Sequence, residues 1–231
     1  MTTKTNETVR EPQEEVIIEE VQSEASIELR EMVEKKVQNL IRMWKDRREQ
    51  HEILLEASGP TLPGGYRYWD CLLLGPFQQA TLDLPAKIVK AGEPALMVGL
   101  IWINPAPSPG GGVSGQVVMG GREYYSCFES IDLSSVTNVV LPGSDQRNTF
   151  DGRPPEFTLV YLPFTLPDPG IHPRLFEVHF YVDIVLPGQP FATMATWHLD
   201  PEGDGSIPGV TPPVPPHLDH DIPARFLVHR A

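Results

Sequence analysis

Every glycine in this chain, and every proline except Pro12, lies beyond Ala57. With 19 glycines and 25 prolines to distribute, that asymmetry constrains the fold more than any other feature. Glycine gives up too much backbone entropy in regular structure, and proline lacks the N–H that a helix or an inner strand needs. A stretch free of both can run as one long helix. A stretch crowded with both must be short segments joined by turns. The pattern predicts an acidic tail over residues 1–22, a helical arm over 23–58 and a β-domain over 59–231.

The totals narrow the partners. The chain has 231 residues and a formal net charge of −13, with a sequence pI near 4.9. An acidic surface repels phosphate backbones and anionic bilayers, so neither nucleic acid nor membrane is expected as a partner. No apolar run approaches the roughly 20 residues that cross a bilayer. The first fifteen residues, MTTKTNETVREPQEE, carry no apolar h-region, which predicts no secretory leader. Two cysteines do not build a disulfide framework. The expectation is a cytoplasmic protein.

Between Glu11 and Glu34 stand nine glutamates and a single basic residue, Arg30. Such a block predicts a solvated tail, although the patch Val16, Ile17, Ile18 and Val21 has the chemistry to dock on a partner. The helix is predicted to start near Ser23 or Ser26, either of which can cap it. Leu29, Val33, Val37, Leu40, Ile41 and Trp44 then recur at steps of three or four, which is one face of a helix. Val33, Val37, Leu40 and Trp44 keep a coiled-coil rhythm for two heptads before Arg47 and Arg48 interrupt it. Gly59-Pro60 ends the helix. A helix over 26–57 is roughly 48 Å long, more than a domain of this size spans. The stripe can pack on the chain's own β-domain, but at least part of it is expected to contact another protein or a second copy, which makes these six residues the candidate partner contacts. Arg42, Lys45, Arg47 and Arg48 read as a solvated basic face.

Beyond Ala57 the pattern is strand, turn, strand. Strands are predicted at 66–74, 78–84, 95–103, 116–119, 123–131, 157–162, 176–185, 191–198 and 225–229. Phe176, Val178, Phe180, Val182 and Ile184 alternate with Glu177, His179, Tyr181 and Asp183. That period of two places one set on a core and the other in solvent or against a partner. Many short strands without intervening helices predict an antiparallel β-sandwich, with a barrel as the alternative. Cys71, Trp102 and Cys127 do not have the spacing of an immunoglobulin domain, and the cysteines read as small hydrophobes. Long loops are expected at 104–115, 142–155 and 200–223.

The motifs are sparse. Gly110–Gly115 matches G-x-G-x-x-G, but a proline loop precedes it and a strand is expected to follow, which removes the helix that binds pyrophosphate. Asp200, Glu202 and Asp204, with Gly205 and Ile207, resemble the first half of an EF-hand calcium loop. Thr211 stands where that family has a bidentate glutamate, and Pro208 and the missing flanking helices also depart from it. The resemblance leaves Asp200, Glu202 and Asp204 as candidate metal ligands. His217, Asp219, His220 and Asp221 match no standard zinc spacing. No nucleophile elbow, P-loop, HExxH or CxxC is present, and no cofactor is implied. The reading is a non-catalytic structural or adaptor protein. The alternatives are a metal-dependent, cupin-like enzyme with His179 and His198 facing inward, and a calcium-stabilised binding module.

Overall fold

The computed structural model describes residues 24–58, 68–79, 88–107, 112–186, 189–195 and 224–230, without the side chains of Trp44, Asp70, Leu186 and residues 47–58 and 189–195. Helix α1 covers Glu24–Ser58 and is followed by strand β1 at Trp69–Phe77. Next come β2 (Ile88–Lys90), β3 (Ala95–Ile103), the short helix α2 (Gly115–Met119) and β4 (Glu123–Asp132). The order continues with β5 (Thr137–Val139), β6 (Asp145–Thr149), β7 (Phe157–Phe164), β8 (Arg174–Leu186), β9 (Gln189–Ala195) and β10 (Ala224–His229).

The strands form two separate sheets, so the fold is a sandwich and not a closed barrel. The smaller sheet is β1-β3-β7, antiparallel throughout. The larger runs β2-β10-β8-β4-β5, with β6 also on β4 and β9 also on β8. Its pairs are antiparallel except β10 with β2, which is parallel. β8 is the spine of the larger sheet. One of its edges is taken by β4, and the other is shared between β10 at 174–178 and β9 at 180–186.

Strand alternation gives each sheet two faces. Toward the interior, β4 sends Tyr124 and Phe128, and β8 sends Phe176, Val178, Phe180, Val182 and Ile184. They meet Cys71, Leu73, Met97, Ile101, Val160 and Leu162 of the smaller sheet. The Phe128 and Phe180 rings lie 4.7 Å apart, and Phe176 stacks on Phe226 at 5.7 Å. Gly99 makes room for this packing, because a Cβ there would lie 2.3 Å from the Phe180 ring.

The smaller sheet is apolar on its other face too. Leu72, Leu74, Leu96, Val98, Leu100 and Trp102 point away from the larger sheet and are buried. What buries them is α1. Leu29, Val33, Val37, Leu40 and Ile41 are buried in the same cluster, with Phe157, Leu159 and Tyr161 packed around it. The molecule is therefore three layers: helix, smaller sheet, larger sheet.

This placement corrects the expectation that Leu29, Val33, Val37, Leu40 and Ile41 contact another molecule. A β-strand apolar on both faces must be covered on both, and the nearest amphipathic element in the chain supplies the cover. Each of those side chains contributes about 1.5–3 kcal/mol by leaving water. Trp44 lies on the same helix, with its side chain outside the described residues. Polar contacts fix the helix on the sheet. The Arg30 guanidinium lies 4.6 Å from the Tyr161 ring centroid. Lys45 Nζ lies 3.3 Å from Glu156 Oε2 and 5.6 Å from the Phe157 ring centroid. Trp102 Nε1 donates to the other oxygen of Glu156 at 3.2 Å.

Several local expectations change. Residues 116–119 form part of α2 rather than a strand, and β4 pairs with β8, β5 and β6. β1 runs on through the cis Gly75-Pro76 bond with a bulge, where Gly75 takes φ of 115°. The predicted strand at 78–84 lies largely outside the described residues. Gln78 is not in a strand, and its amide instead donates to Lys90 O and accepts from Lys90 N. The predicted loop at 142–155 contains β6. Residues 1–22 and the loop 200–223 lie outside the described residues.

Candidate functional site

The outer face of the larger sheet brings a row of side chains with acid–base or nucleophilic chemistry side by side. Alternation along β8 turns Glu177, His179, Tyr181 and Asp183 outward, away from the aromatic core. In register beside them on β4 stand Ile131, Glu129, Cys127 and Tyr125. Arg225 of β10 pairs with Glu177 on the far side, and Asp145 of β6 pairs with Cys127.

These groups satisfy one another. Glu177 is the centre of the first set. His179 Nε2 lies 2.7 Å from its Oε1, and Arg225 Nε donates to its Oε2 at 2.5 Å. A carboxylate can only accept here, so His179 carries its proton on Nε2. Burial pushes the Glu177 carboxyl up, but the bonds from Arg225 and His179 outweigh it and hold the group below its ordinary range. His179 Nδ1 is buried and has no hydrogen-bond partner among the described residues.

The second set holds the potential nucleophiles. Tyr181 donates its hydroxyl to Glu129 Oε2 at 2.8 Å. Burial, and then that bond, push the Tyr181 hydroxyl up to about 12. Burial and a bond to Asp145 push the Cys127 thiol up to about 12 as well. Tyr125 also bonds Asp145 and is pushed up to about 12. Each hydroxyl or thiol is thus a donor to a neighbouring carboxylate and stays protonated at neutral pH. A thiolate needs the opposite environment, with a cation or helix N-terminus beside it.

Among the described residues no group of three His, Cys, Asp or Glu side chains is placed to hold a metal ion. His179 points outward and not into an enclosed interior, contrary to the cupin-like alternative, and His198 lies outside the described residues. Asp200, Glu202 and Asp204 also lie outside the described residues. The glycine motif at 110–115 leads into a helix of five residues rather than the expected strand. Neither Cys71 nor Cys127 is in a disulfide; Cys71 lies in the interior and Cys127 half-buried on the outer face. Among the described residues no helix is long and apolar enough to cross a membrane.

Sequence reasoning found the outward set on β8 through its alternation. It missed Arg225, Glu129 and Asp145 as their partners, because strand order cannot be read from periodicity. It also placed the partner-binding residues on the helix stripe, which the smaller sheet occupies.

No protein-family model matches the chain, and no curated protein matches it in sequence. Solved structures do align with it. A family 123 glycoside hydrolase from Clostridium perfringens, which hydrolyses glycolipid glycans, aligns at 9% identity and a TM-score of 0.30. That alignment covers 56% of this chain, which spans only 26% of the hydrolase. The CARDB domain of a Pyrococcus furiosus protein, solved in complex with di-metal ions, aligns at 8% identity and a TM-score of 0.30, covering 74% of this chain and 95% of that one.

Proposed function

We propose that this is a non-catalytic structural or adaptor protein, whose larger sheet is a rigid recognition surface for another protein or a second copy. The observation that carries this reading is the state of the outer-face groups. Four of those with acid–base or nucleophilic potential are tied to a neighbour in an unreactive form. Glu177 is an ion between Arg225 and His179, and Cys127, Tyr125 and Tyr181 are protonated donors. Such a network holds side chains in fixed positions, which suits recognition, and it lacks the mismatched pKa pair that general acid–base chemistry requires.

The helix takes a different role from that of a free tether. Its first two-thirds belong to the fold, and any tethering is left to what lies before Glu24 and after Lys45. Two cysteines outside any disulfide and the acidic charge agree with work in a reducing cytoplasm. Light scattering on the full chain over a range of concentrations, with metal analysis of the same sample, tests the reading. Assembly, or a stable complex with a defined partner protein, is expected. A strict monomer that carries a stoichiometric transition metal overturns it.

A further inference from the structure

Toward the end where β8 begins, the outer face of the larger sheet changes character. Leu227 on β10 is the register partner of both Leu175 on β8 and Ile88 on β2. Three aliphatic side chains therefore form one row across three strands. Ile88 is 56% exposed and Leu175 37%. The turn after β4 closes against this row, since Leu175 N donates to Ser134 Oγ and Leu133 N donates to Leu175 O, both at 2.8 Å. That turn carries Val136, which is 79% exposed.

One guanidinium flanks the row. Arg225 stands two residues from Leu227 on the same face of β10, whereas Arg174, in register with the buried Val228, lies on the other face. Arg225 is 54% exposed over Glu177 at 12%. The acid lies beneath and the cation outside. A guanidinium has five N–H donors in a fixed fork, and one bond to a buried carboxylate leaves others free to point outward. On a chain of net charge −13, this region offers outward-facing cationic donors beside exposed aliphatic carbon.

We infer that this row docks an extended acidic peptide segment of a partner, one with an apolar residue and a carboxylate two positions apart. The spacing follows from the strands. Residues two apart on β10 stand about 6.6 Å apart, and an extended peptide repeats its side chains at the same interval. An apolar residue over Leu227 then puts its second neighbour over Arg225, where a carboxylate meets a charge-assisted donor. The chain's own residues 14–21, EEVIIEEV, have this chemistry as sequence, with glutamate, isoleucine and glutamate at 15, 17 and 19. A synthetic peptide of residues 12–23 is therefore the probe.

The inference rests on the recognition-surface reading. The test is fluorescence anisotropy of the labelled peptide against the full chain carrying Val16→Ser, Ile17→Ser and Ile18→Ser, which removes self-competition. Saturable binding is expected, weakened by rising salt. Ile88→Ser and Arg225→Gln should each weaken it by roughly tenfold. Ile88 is exposed, so its variant keeps the fold, and a thermal melt checks both. A peptide with lysine in place of its glutamates should not bind. Absence of saturable binding, binding indifferent to both surface variants, or equal binding of the lysine peptide overturns the inference. If peptide binding fails while light scattering still finds assembly, the peptide is wrong and the recognition-surface reading stands.

Discussion

The smaller sheet turns Leu72, Leu74, Leu96, Val98, Leu100 and Trp102 outward and hides them under α1. The larger sheet turns Glu177, His179, Tyr181, Glu129 and Cys127 outward and ties them to one another. Both are outer faces of one sandwich, yet the first is closed by an added layer and the second by a network of side chains. The difference separates two jobs. A face whose stability depends on hydrophobic cover is not free to bind anything else, whereas a face where groups such as Glu177 and Arg225 are already paired can lose water to a partner without leaving those charges unpaired.

The sharpest way to break this comparison is to remove the cover. Deleting residues 1–57 uncovers the whole apolar face of the smaller sheet, so the remainder should aggregate rather than persist as a soluble β-domain. Soluble yield and a cooperative melt measure this, and a well-behaved truncated domain would sink the three-layer account. Single substitutions probe the same layer. Leu29→Ala and Ile41→Ala should each cost about 2–5 kcal/mol in denaturant unfolding, as large-to-small changes in a core do. Values near zero would mean that the stripe is not buried on the sheet.

The inner layer gives the next effect. Gly99→Ala drives a Cβ into the Phe180 ring, and overpacking of this kind costs about 1–3 kcal/mol. Phe180→Leu in the same chain should return part of that loss, and strict additivity of the two would count against the contact.

The polar face should respond to pH. Glu177 is held below its ordinary value of 4.5, so its bonds stabilise the fold above that pH and the contribution is lost as the solution is acidified through the lower folded-state value. Cys127 is raised from 9.0 to about 12, so its protonated form stabilises the fold below pH 9 and that contribution is lost as the pH climbs toward 12. Stability plotted against pH should thus fall on both sides, with Glu177→Gln flattening the acid limb and Cys127→Ser the alkaline one. Unchanged limbs would show that the network does not couple to folding. The smallest expected effect is at Lys45, whose pairing with Glu156 is half-exposed. Lys45→Ala should cost about 1 kcal/mol or less by chemical denaturation.

Much of this arrangement was legible in the sequence. The alternation of Phe176–Val185 correctly divided β8 into a core face and an outward face. The glycine- and proline-free stretch gave α1 within two residues of its observed start. The nine residues of β3 were read as a strand with its observed bounds, Ala95–Ile103. The meaning of their composition was missed. ALMVGLIWI is apolar at every position but Gly99, and all nine residues are buried. A strand that is apolar on both sides announces a second covering layer, and the amphipathic helix was the element available. Length alone pulled the other way, because a helix of this extent exceeds the domain, although among the described side chains the docked stretch runs from Leu29 to Lys45. The network around Glu177 was less accessible. Arg225 lies 48 residues away and Tyr181 pairs with Glu129 across 52, and no local pattern announces which strands become neighbours.

The position of β10 between β2 and β8 has a consequence for the nascent chain. Ile88 and Leu227, which are register partners, stand 139 positions apart (227 − 88). While the ribosome is still making what lies between, β2 has no neighbour to pair with, and the edge of β8 at 174–178 stays open. Contacts so distant in sequence form slowly, and unpaired strand edges are where partly made chains stick to one another. The larger sheet thus stays incomplete until β10 has been made, and production of the protein depends on protecting that edge until residue 229 has emerged.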